Sequence, residues 1–233
     1  MFNKLLNILF PELCPICQEP SMDHKTAPIC TECWQGILPH NGPGCQRCGK
    51  PFVSGISTTC AECIQSEPAF ESSRSFGSYS DTLKKAVNLF KYHGIKRLAG
   101  PLSDIMYRIS IPSVDAVIPV PLYKKRLRQR EFNQSALLAK HISEHLDIPL
   151  ILDCLIKVSD TTPQVGMNSK ERFKNIKKAF VIKDSSVISN RNILLIDDVF
   201  TTGATVRECS GMLKKAGAHN VYVVTLAHGV MDS

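Results

Sequence analysis

No apolar run in this sequence reaches the ~18 residues that a membrane-spanning helix needs, so the sequence predicts no transmembrane segment. The first eleven residues also lack the features of a secretion signal, because asparagines interrupt the apolar positions and no small-residue cleavage site follows Pro11. We expect a short amphipathic helix there. A chain without a signal is expected in the cytoplasm, where cysteine thiols stay reduced.

Cysteine is scarce after residue 64, where the chain has only two of its ten cysteines. The other eight form four Cys-x-x-Cys pairs separated by twelve, eleven and eleven residues. A two-residue spacer lets two thiolates reach one metal ion, and two pairs complete a tetrahedral zinc site. The pattern predicts two zinc sites, with ligands Cys14, Cys17, Cys30, Cys33, Cys45, Cys48, Cys60 and Cys63.

The spacing leaves open whether these pairs combine in sequence order or interleave. We favour the sequential arrangement, because each closed loop is then short and loses little entropy. Four disulfides are the alternative to metal, and a cytoplasmic location argues against them. Because four thiolates leave zinc no open position, both sites are expected to be structural.

The cysteine pairs and the remaining motifs lie in different parts of the chain, which predicts two domains. We expect an N-terminal helix and double zinc ribbon over residues 1–65, a polar linker over 66–75, and the main domain over 76–233. The net charge of +7 suits a phosphate-rich ligand or nucleic acid and does not choose between them.

The most informative stretch is residues 193–205, where four apolar residues precede two acids and a loop rich in hydroxyl groups. The run Ile193 to Ile196 predicts a strand of a parallel sheet that is buried on both faces. Asp197 and Asp198 are then expected at its carboxyl end, where ligands bind in such sheets. The alternative is a buried strand that ends in an ordinary turn.

The loop Thr201 to Thr205 follows these acids and leads into a predicted helix. A glycine-containing loop at a helix start suits an anion, because free backbone N–H groups and the helix dipole point at it. The acids themselves would bind sugar hydroxyls or a divalent cation. The sequence therefore predicts a site for a sugar phosphate.

A second strand, predicted within residues 114–122, leads into a strongly basic segment. We interpret this segment as a loop that binds a multiply charged anion, rather than a merely solvated surface, because it follows a buried strand. Its cations are Lys124, Lys125, Arg126, Arg128 and Arg130.

Residues 161–182 are polar, basic and weakly periodic, which predicts a mobile loop followed by a short helix and a strand. Such a segment could close over a ligand as a lid, with Gln164, Arg172 and Asn175 as candidate contacts. An ordinary surface loop explains the composition equally well.

The other segments predict scaffold elements. Asp81 is expected to cap the first of the predicted helices. The helices are predicted over 81–93, 98–109 and 132–146, and the strands over 149–157 and 220–227.

The order of these motifs resembles the ComF (GntX-like) family, in which a zinc ribbon is fused to a type I phosphoribosyltransferase-like domain. The resemblance rests on the cysteine pairs, Pro-Val-Pro-Leu, Arg-x-Arg-x-Phe-Asn-Gln, Gln-x₇-Arg-x₂-Asn and Asp-Asp-x₃-Thr-Gly-Ala-Thr. It implies an α/β fold, with a mainly parallel sheet flanked by helices and preceded by a small double zinc ribbon. This chain departs from the family at Glu131, where glycine is usual.

The resemblance implies that the ligand is phosphoribosyl pyrophosphate (PRPP), bound with Mg²⁺. Asp197 and Asp198 would contact the ribose hydroxyls, and the basic segment would bind the pyrophosphate. A loop of five residues would hold the 5′-phosphate, namely Thr201, Thr202, Gly203, Ala204 and Thr205. The family is linked to natural transformation, in which it helps to move single-stranded DNA into the cytoplasm alongside a helicase and a DNA-processing protein.

Two functions stay open at this point. One is a protein that binds PRPP and single-stranded DNA, with Trp34, Tyr123 and Phe132 close to cations and available for stacking on bases. The other is an active phosphoribosyltransferase with an unidentified base or amine acceptor. Catalysis would then rest on charge stabilisation of the departing pyrophosphate, and no catalytic residue is assigned.

Overall fold

A computed structural model of the chain describes residues 12–52, 57–161 and 176–229. The predicted N-terminal helix and the lid candidates Gln164, Arg172 and Asn175 lie outside these ranges. The described strands are β1 (Ser72–Ser78), β2 (Ala116–Pro119), β3 (Leu155–Lys157), β4 (Phe180–Ile182), β5 (Asn192–Phe200) and β6 (Asn220–His228). The described α-helices are α1 (Thr31–Gln35), α2 (Ala61–Gln65), α3 (Asp81–Tyr92), α4 (Ala99–Met106), α5 (Lys124–Arg130), α6 (Gln134–Leu146) and α7 (Ala204–Lys215).

The main sheet has four strands in the order β1-β6-β5-β2, and every neighbouring pair is parallel. Helices cover both faces, and the side chains of Ile193 to Ile196 are fully buried between them. This arrangement confirms the predicted parallel α/β class, because a continuous aliphatic run fits only a strand that is covered on both sides. Among the described residues, no helix is long and apolar enough to cross a membrane.

The central strand β5 is longer than the predicted apolar run and includes both acids. Its pairing with β2 ends where Pro119 lies opposite Ile196. Its pairing with β6 continues until Phe200 lies opposite His228. Asp197 and Asp198 therefore lie where β5 extends past the end of β2, and this difference in strand length opens a crevice beside them.

Strand β1 begins at Ser72, inside the segment predicted to be a linker. Its sequence is polar, yet Ser73 is fully buried and the hydroxyls of Ser75 and Thr225 lie 2.7 Å apart. The prediction was wrong here because pairing with β6, about 150 residues later, determines the strand, and local composition carries no sign of it.

The predicted strand over residues 149–157 is divided. Leu150 makes one parallel bridge to Val117, whereas Leu155 to Lys157 forms β3, which pairs antiparallel with β4 in a separate two-stranded sheet. The segment thus connects the edge of the main sheet to this small sheet.

The basic segment forms helix α5 and is not the predicted loop. Lysine, arginine, leucine and glutamine are all good helix formers, which accounts for the helix. It ends at Glu131, whose φ of 65° lies in the left-handed region. This conformation costs roughly 1 kcal/mol for a residue other than glycine, and it explains why glycine is usual at this position.

The helix starts differ in part from those predicted. Ser80, rather than Asp81, occupies the cap position of α3, and its side chain makes no capping hydrogen bond. Helix α6 is capped by Asn133, whose side chain accepts a hydrogen bond from the Ser135 N–H at 3.0 Å.

The cysteine-rich region contains two similar units. In each, the residue after the second cysteine donates its N–H to the carbonyl of the first, from Gln18 to Cys14 and from Gly49 to Cys45, both at 2.8 Å. Both donors have positive φ, 66° for Gln18 and 72° for Gly49. A short helix then follows the third cysteine of each unit, α1 in the first and α2 in the second.

The two cysteine units pack directly on the main domain. Backbone N–H groups cross the boundary in both directions, from Ser73 to the Arg47 carbonyl and from His40 to the Phe76 carbonyl, each at 2.7 Å. Gly49 lies so close to β1 that an added Cβ would be 2.7 Å from the Ser73 carbonyl oxygen. The units and the sheet therefore share one continuous packed structure.

This close approach predicts that Gly49→Ala is more destabilising than Gly94→Ala. Both glycines have positive φ, but a Cβ at Gly94 would meet nothing within 4 Å. We expect Gly94→Ala to lower the free energy of unfolding by about 1 kcal/mol through backbone conformation alone, and Gly49→Ala by about 2 to 3 kcal/mol. Denaturant titration of both variants measures this, and equal losses would contradict tight docking at Gly49.

Candidate functional site

A cavity of about 880 Å³ lies at the carboxyl ends of β2 and β5. Its walls come from the first turn of α7, the last turn of α3, the inner face of α5 and the start of α6. Carboxyl ends of parallel strands, a helix N-terminus and a basic helix thus surround one space. This is the usual position for a ligand in an open α/β sheet.

The predicted phosphate loop forms one wall of this cavity. Thr201, Gly203, Ala204 and Thr205 line it, whereas Thr202 does not. Gly203 has a φ of 73° and precedes the first residue of α7. The Phe200 ring fills the space that a Cβ at Gly203 would need, so glycine is required both for conformation and for space. The unpaired N–H groups at the start of α7 face this loop and favour a bound anion.

The two acids are held by different partners. Lys91, from the last turn of α3, lies 2.7 Å from Asp198, and the side chains are only 14% and 11% exposed. Asp197 accepts a hydrogen bond of 2.9 Å from the Ser135 hydroxyl, which is fixed at the start of α6. Both partners come from helices that pack on the same side of the main sheet, against Leu194 and Ile196.

This environment shifts the pKa values of the acid and the lysine. Burial, followed by the charge of Asp198, raises the pKa of Asp197 to about 7, although Lys91 partly opposes the shift. Burial alone would lower the pKa of Lys91, but the Asp198 carboxylate outweighs it and the pKa is raised. Lys91 therefore stays charged, and Asp197 changes its protonation state near neutral pH.

The five predicted cations of the basic segment divide between two faces of α5. Arg126 and Arg130 are four residues apart, and both line the cavity. Lys124, Lys125 and Arg128 are exposed on the outer side. The formation of a helix therefore leaves two of the five candidate pyrophosphate ligands beside the phosphate loop.

Lys157, at the end of β3, is a cavity cation that the sequence reasoning missed. Its ammonium group donates to the Thr161 hydroxyl at 2.8 Å, while Arg126 donates to the Thr161 carbonyl at 2.9 Å. Burial, followed by the nearby Arg126 charge, lowers the pKa of Lys157 to about 8. The only sign of Lys157 in the sequence is a lysine at the end of an apolar run. Nothing in the local sequence marks Lys91, because its partner Asp198 lies about 100 residues away.

The eight N-terminal cysteines form two tetrads, and the sulfur atoms of each lie within 4.8 Å of one another. The first contains Cys14, Cys17, Cys30 and Cys33, and the second contains Cys45, Cys48, Cys60 and Cys63. The structure thus groups the pairs in sequence order. Four soft sulfur donors with no open position fit zinc in a structural role.

Backbone N–H groups point at the sulfur atoms of the second tetrad, as they do around thiolates. Cys60 and Cys48 donate to the Cys45 sulfur at 3.3 and 3.5 Å. Burial raises the pKa of Cys45, but these N–H groups outweigh it and lower the pKa to about 7. All four cysteines of this tetrad are buried, whereas Cys17 of the first tetrad is exposed.

Two of the three aromatic residues proposed to stack on bases pack elsewhere. Phe132 is buried against Phe90, with ring centroids 5.7 Å apart. Trp34 is half-buried against the core of the first cysteine unit and the main domain. Tyr123, the residue before α5, is partly exposed beside the outer cations.

Comparison with known families matches both parts of the chain. Residues 5–64 match the double zinc ribbon domain, and residues 133–230 match the phosphoribosyl transferase domain. Competence protein F of Haemophilus influenzae is 31% identical over 210 residues, which cover 85% of this chain and 90% of that protein. DNA utilization protein YhgH of Salmonella typhi is 28% identical over 222 residues, which cover 91% of this chain and 95% of that protein.

A solved structure with a similar fold is the glutamine PRPP amidotransferase from B. subtilis in complex with ADP and GMP. It is 23% identical with a TM-score of 0.39, and the match covers 55% of this chain. The chain spans only 25% of the length of that protein.

The raised pKa of Asp197 predicts a pH-dependent effect of Asp197→Asn. The unfolded chain ionises this acid near pH 4 and the folded chain near pH 7, so wild type loses stability as pH rises through this interval. Asparagine does not titrate and can still pair with Ser135. We expect the melting temperature of the variant relative to wild type to rise between about pH 5.5 and pH 8.

Taking the difference between the two proteins at each pH cancels the pH dependence of the cysteine units, which they share. Asp198→Asn is the matched control, because it leaves the buried Lys91 ammonium unpaired and should destabilise the protein at pH 8. A difference in melting temperature between Asp197→Asn and wild type that does not change with pH would show that this acid ionises normally.

Proposed function

The chain belongs to the ComF family, which joins a double zinc ribbon to a phosphoribosyltransferase domain, and from this premise we propose that its cavity binds PRPP with Mg²⁺. We further propose that this binding serves a protein that handles single-stranded DNA. The relatives named competence protein and DNA utilization protein support this second part.

One observation supports the PRPP site above the others. The phosphate loop, the paired acids and three cations besides Lys91 line the same cavity. PRPP carries a 5′-phosphate, two ribose hydroxyls and a diphosphate, and each has a complementary group here. A simple mononucleotide lacks the diphosphate at C1 and would leave Arg126, Arg130 and Lys157 without an anion.

In this proposal the 5′-phosphate is held by backbone N–H groups of the loop Thr201 to Thr205 and by the hydroxyls of Thr201 and Thr205. Asp197 and Asp198 accept hydrogen bonds from the ribose hydroxyls, and Ser135 and Lys91 keep the two carboxylates in place. Mg²⁺ prefers oxygen ligands and would be held by the diphosphate and the sugar oxygens beside these acids.

Phosphoribosyl transfer is the second candidate function. In this reaction Arg126, Arg130 and Lys157 would stabilise the negative charge on departing pyrophosphate, and such preorganised charges are a major source of catalysis. Pyrophosphate release with a panel of base and amine acceptors tests for turnover. Absence of release with every acceptor would leave binding as the function.

For DNA, the favoured contact surface is the outer face of α5. Lys124, Lys125 and Arg128 are exposed there, and Leu127 between them is 41% exposed. Cations beside apolar and aromatic groups suit the backbone and bases of a single strand. This surface points away from the cavity, so both ligands can be bound by one helix.

We expect Lys157→Met to weaken the binding of PRPP and of inorganic pyrophosphate by about tenfold, and to leave ribose 5-phosphate nearly unchanged. The lost ammonium serves only the diphosphate, and a charge-assisted contact contributes about 1.5 to 3 kcal/mol. The double variant Asp197→Ala/Asp198→Ala should instead weaken the binding of both PRPP and ribose 5-phosphate. Isothermal titration calorimetry with Mg²⁺ measures all three ligands.

Lys183→Met is the matched control, because Lys183 is exposed just after β4 and away from the cavity. Unchanged PRPP binding in the double aspartate variant would show that the acids do not contribute to the site. Loss of ribose 5-phosphate binding in Lys157→Met would remove the assignment of Lys157 to the diphosphate.

Replacing Lys124, Lys125 and Arg128 together by glutamine should weaken single-stranded DNA binding and leave PRPP binding intact. Three lost phosphate contacts should reduce the slope of log affinity against log salt by about 2. Fluorescence anisotropy of a labelled oligonucleotide over a salt series measures this. An unchanged slope would place the DNA elsewhere on the protein.

A further inference from the structure

Arg207 connects the second cysteine tetrad to the phosphate loop. It lies in the first turn of α7, where its N–H donates to the Gly203 carbonyl at 2.9 Å. Its guanidinium leaves the helix and donates from Nη2 to the Cys63 sulfur at 3.1 Å and from Nη1 to the Ser66 carbonyl at 2.7 Å. One side chain thus joins a cysteine of the tetrad to the helix that begins at the loop.

A line of aromatic contacts follows the same route. The Arg207 guanidinium lies over the ring of Phe70, 5.9 Å from its centroid. Phe70 is fully buried and meets Phe200 edge-on, with centroids 6.5 Å apart. The Phe200 ring in turn fills the space beside Gly203. Two sets of contacts, both starting at Arg207, therefore lead from the second cysteine unit to the same glycine.

Electrostatics favours this contact when the tetrad holds zinc. A Zn²⁺ ion with four thiolates carries a net charge of −2, and the tetrad has the sulfur donors and the burial that such a site needs. An arginine beside one of these sulfurs makes a charge-assisted hydrogen bond, which is stronger than a neutral one. The second unit thus attracts the start of α7 through Arg207.

We propose that Arg207 is a positioning residue through which the second cysteine tetrad holds the phosphate loop in its binding conformation. For ligand binding, this inference rests on the proposed PRPP site. Coupling between sites is reciprocal, so the tetrad and the 5′-phosphate stabilise each other across this side chain.

Arg97 provides the matched control. Its Nε donates to the Ala27 carbonyl at 2.6 Å and its Nη2 pairs with Glu12 at 2.7 Å, so it ties the first cysteine unit to the main domain. Arg97→Gln therefore breaks an equivalent attachment far from α7 in sequence. If general attachment of the cysteine units were what matters, Arg97→Gln and Arg207→Gln would act alike.

Hydrogen–deuterium exchange of the zinc-loaded proteins tests the coupling without any ligand. We expect Arg207→Gln to speed amide exchange in the segment 200–206 by about tenfold, and Arg97→Gln to leave that segment unchanged. Equal exchange in wild type and Arg207→Gln, or equal acceleration in both variants, would overturn the proposal. Zinc content is measured first, and two ions per chain are expected.

If Arg207→Gln does not fold or does not retain zinc, Arg207→Lys replaces it in the same comparison. Lysine keeps the charge but cannot make both contacts from one planar group, so an intermediate acceleration is expected. Exchange as slow as in wild type would then overturn the proposal.

Calorimetry separates positioning of the loop from a general loss of structure. Arg207→Gln should weaken the binding of ribose 5-phosphate by about tenfold. It should change the affinity for inorganic pyrophosphate by less than about twofold, because the other cations bind pyrophosphate. Equal weakening of both ligands would overturn the proposal. If wild type binds neither ligand, the PRPP function fails, and the exchange experiment still decides whether Arg207 couples the tetrad to the loop.

Discussion

The buried ion pair between Lys91 and Asp198 makes the rest of the site possible. Two carboxylates on consecutive residues of a buried strand repel each other and lose solvation, which is unfavourable unless a cation is close. Lys91 neutralises one acid at 2.7 Å, and Ser135 donates to the other. The two acids at the end of β5 thus depend on two helices that hold their partners in place.

One short helix, α5, places the cations of the basic segment on two different surfaces. Because α5 turns once every 3.6 residues, Arg126 and Arg130 face the cavity while Lys124, Lys125 and Arg128 face solvent. Lys157 joins the inner cations from β3, and all three line the cavity together with the acids. A single basic segment thereby supplies two surfaces with different chemistry, one enclosed and one open.

The cysteine units are structurally part of the main domain. Gly49 approaches β1 within contact distance of backbone, and Arg207 reaches from the phosphate-loop helix to Cys63. Zinc sites usually stabilise only the small domain that contains them. Here the Arg207–Cys63 hydrogen bond also connects the second tetrad to the helix that follows the predicted phosphate loop.

The sequence by itself determined the elements whose signal is local. The cysteine spacing identified both tetrads, the aliphatic run identified β5, and the Asp-Asp and Thr-Gly-Ala-Thr motifs identified two walls of the cavity. Only the tertiary structure decided that Ser72 to Ser75 is a strand, which face of the basic helix lines the cavity, and that Lys91 and Lys157 line it too. These features depend on partners up to about 150 residues away, and no local pattern of residues encodes a contact over that separation.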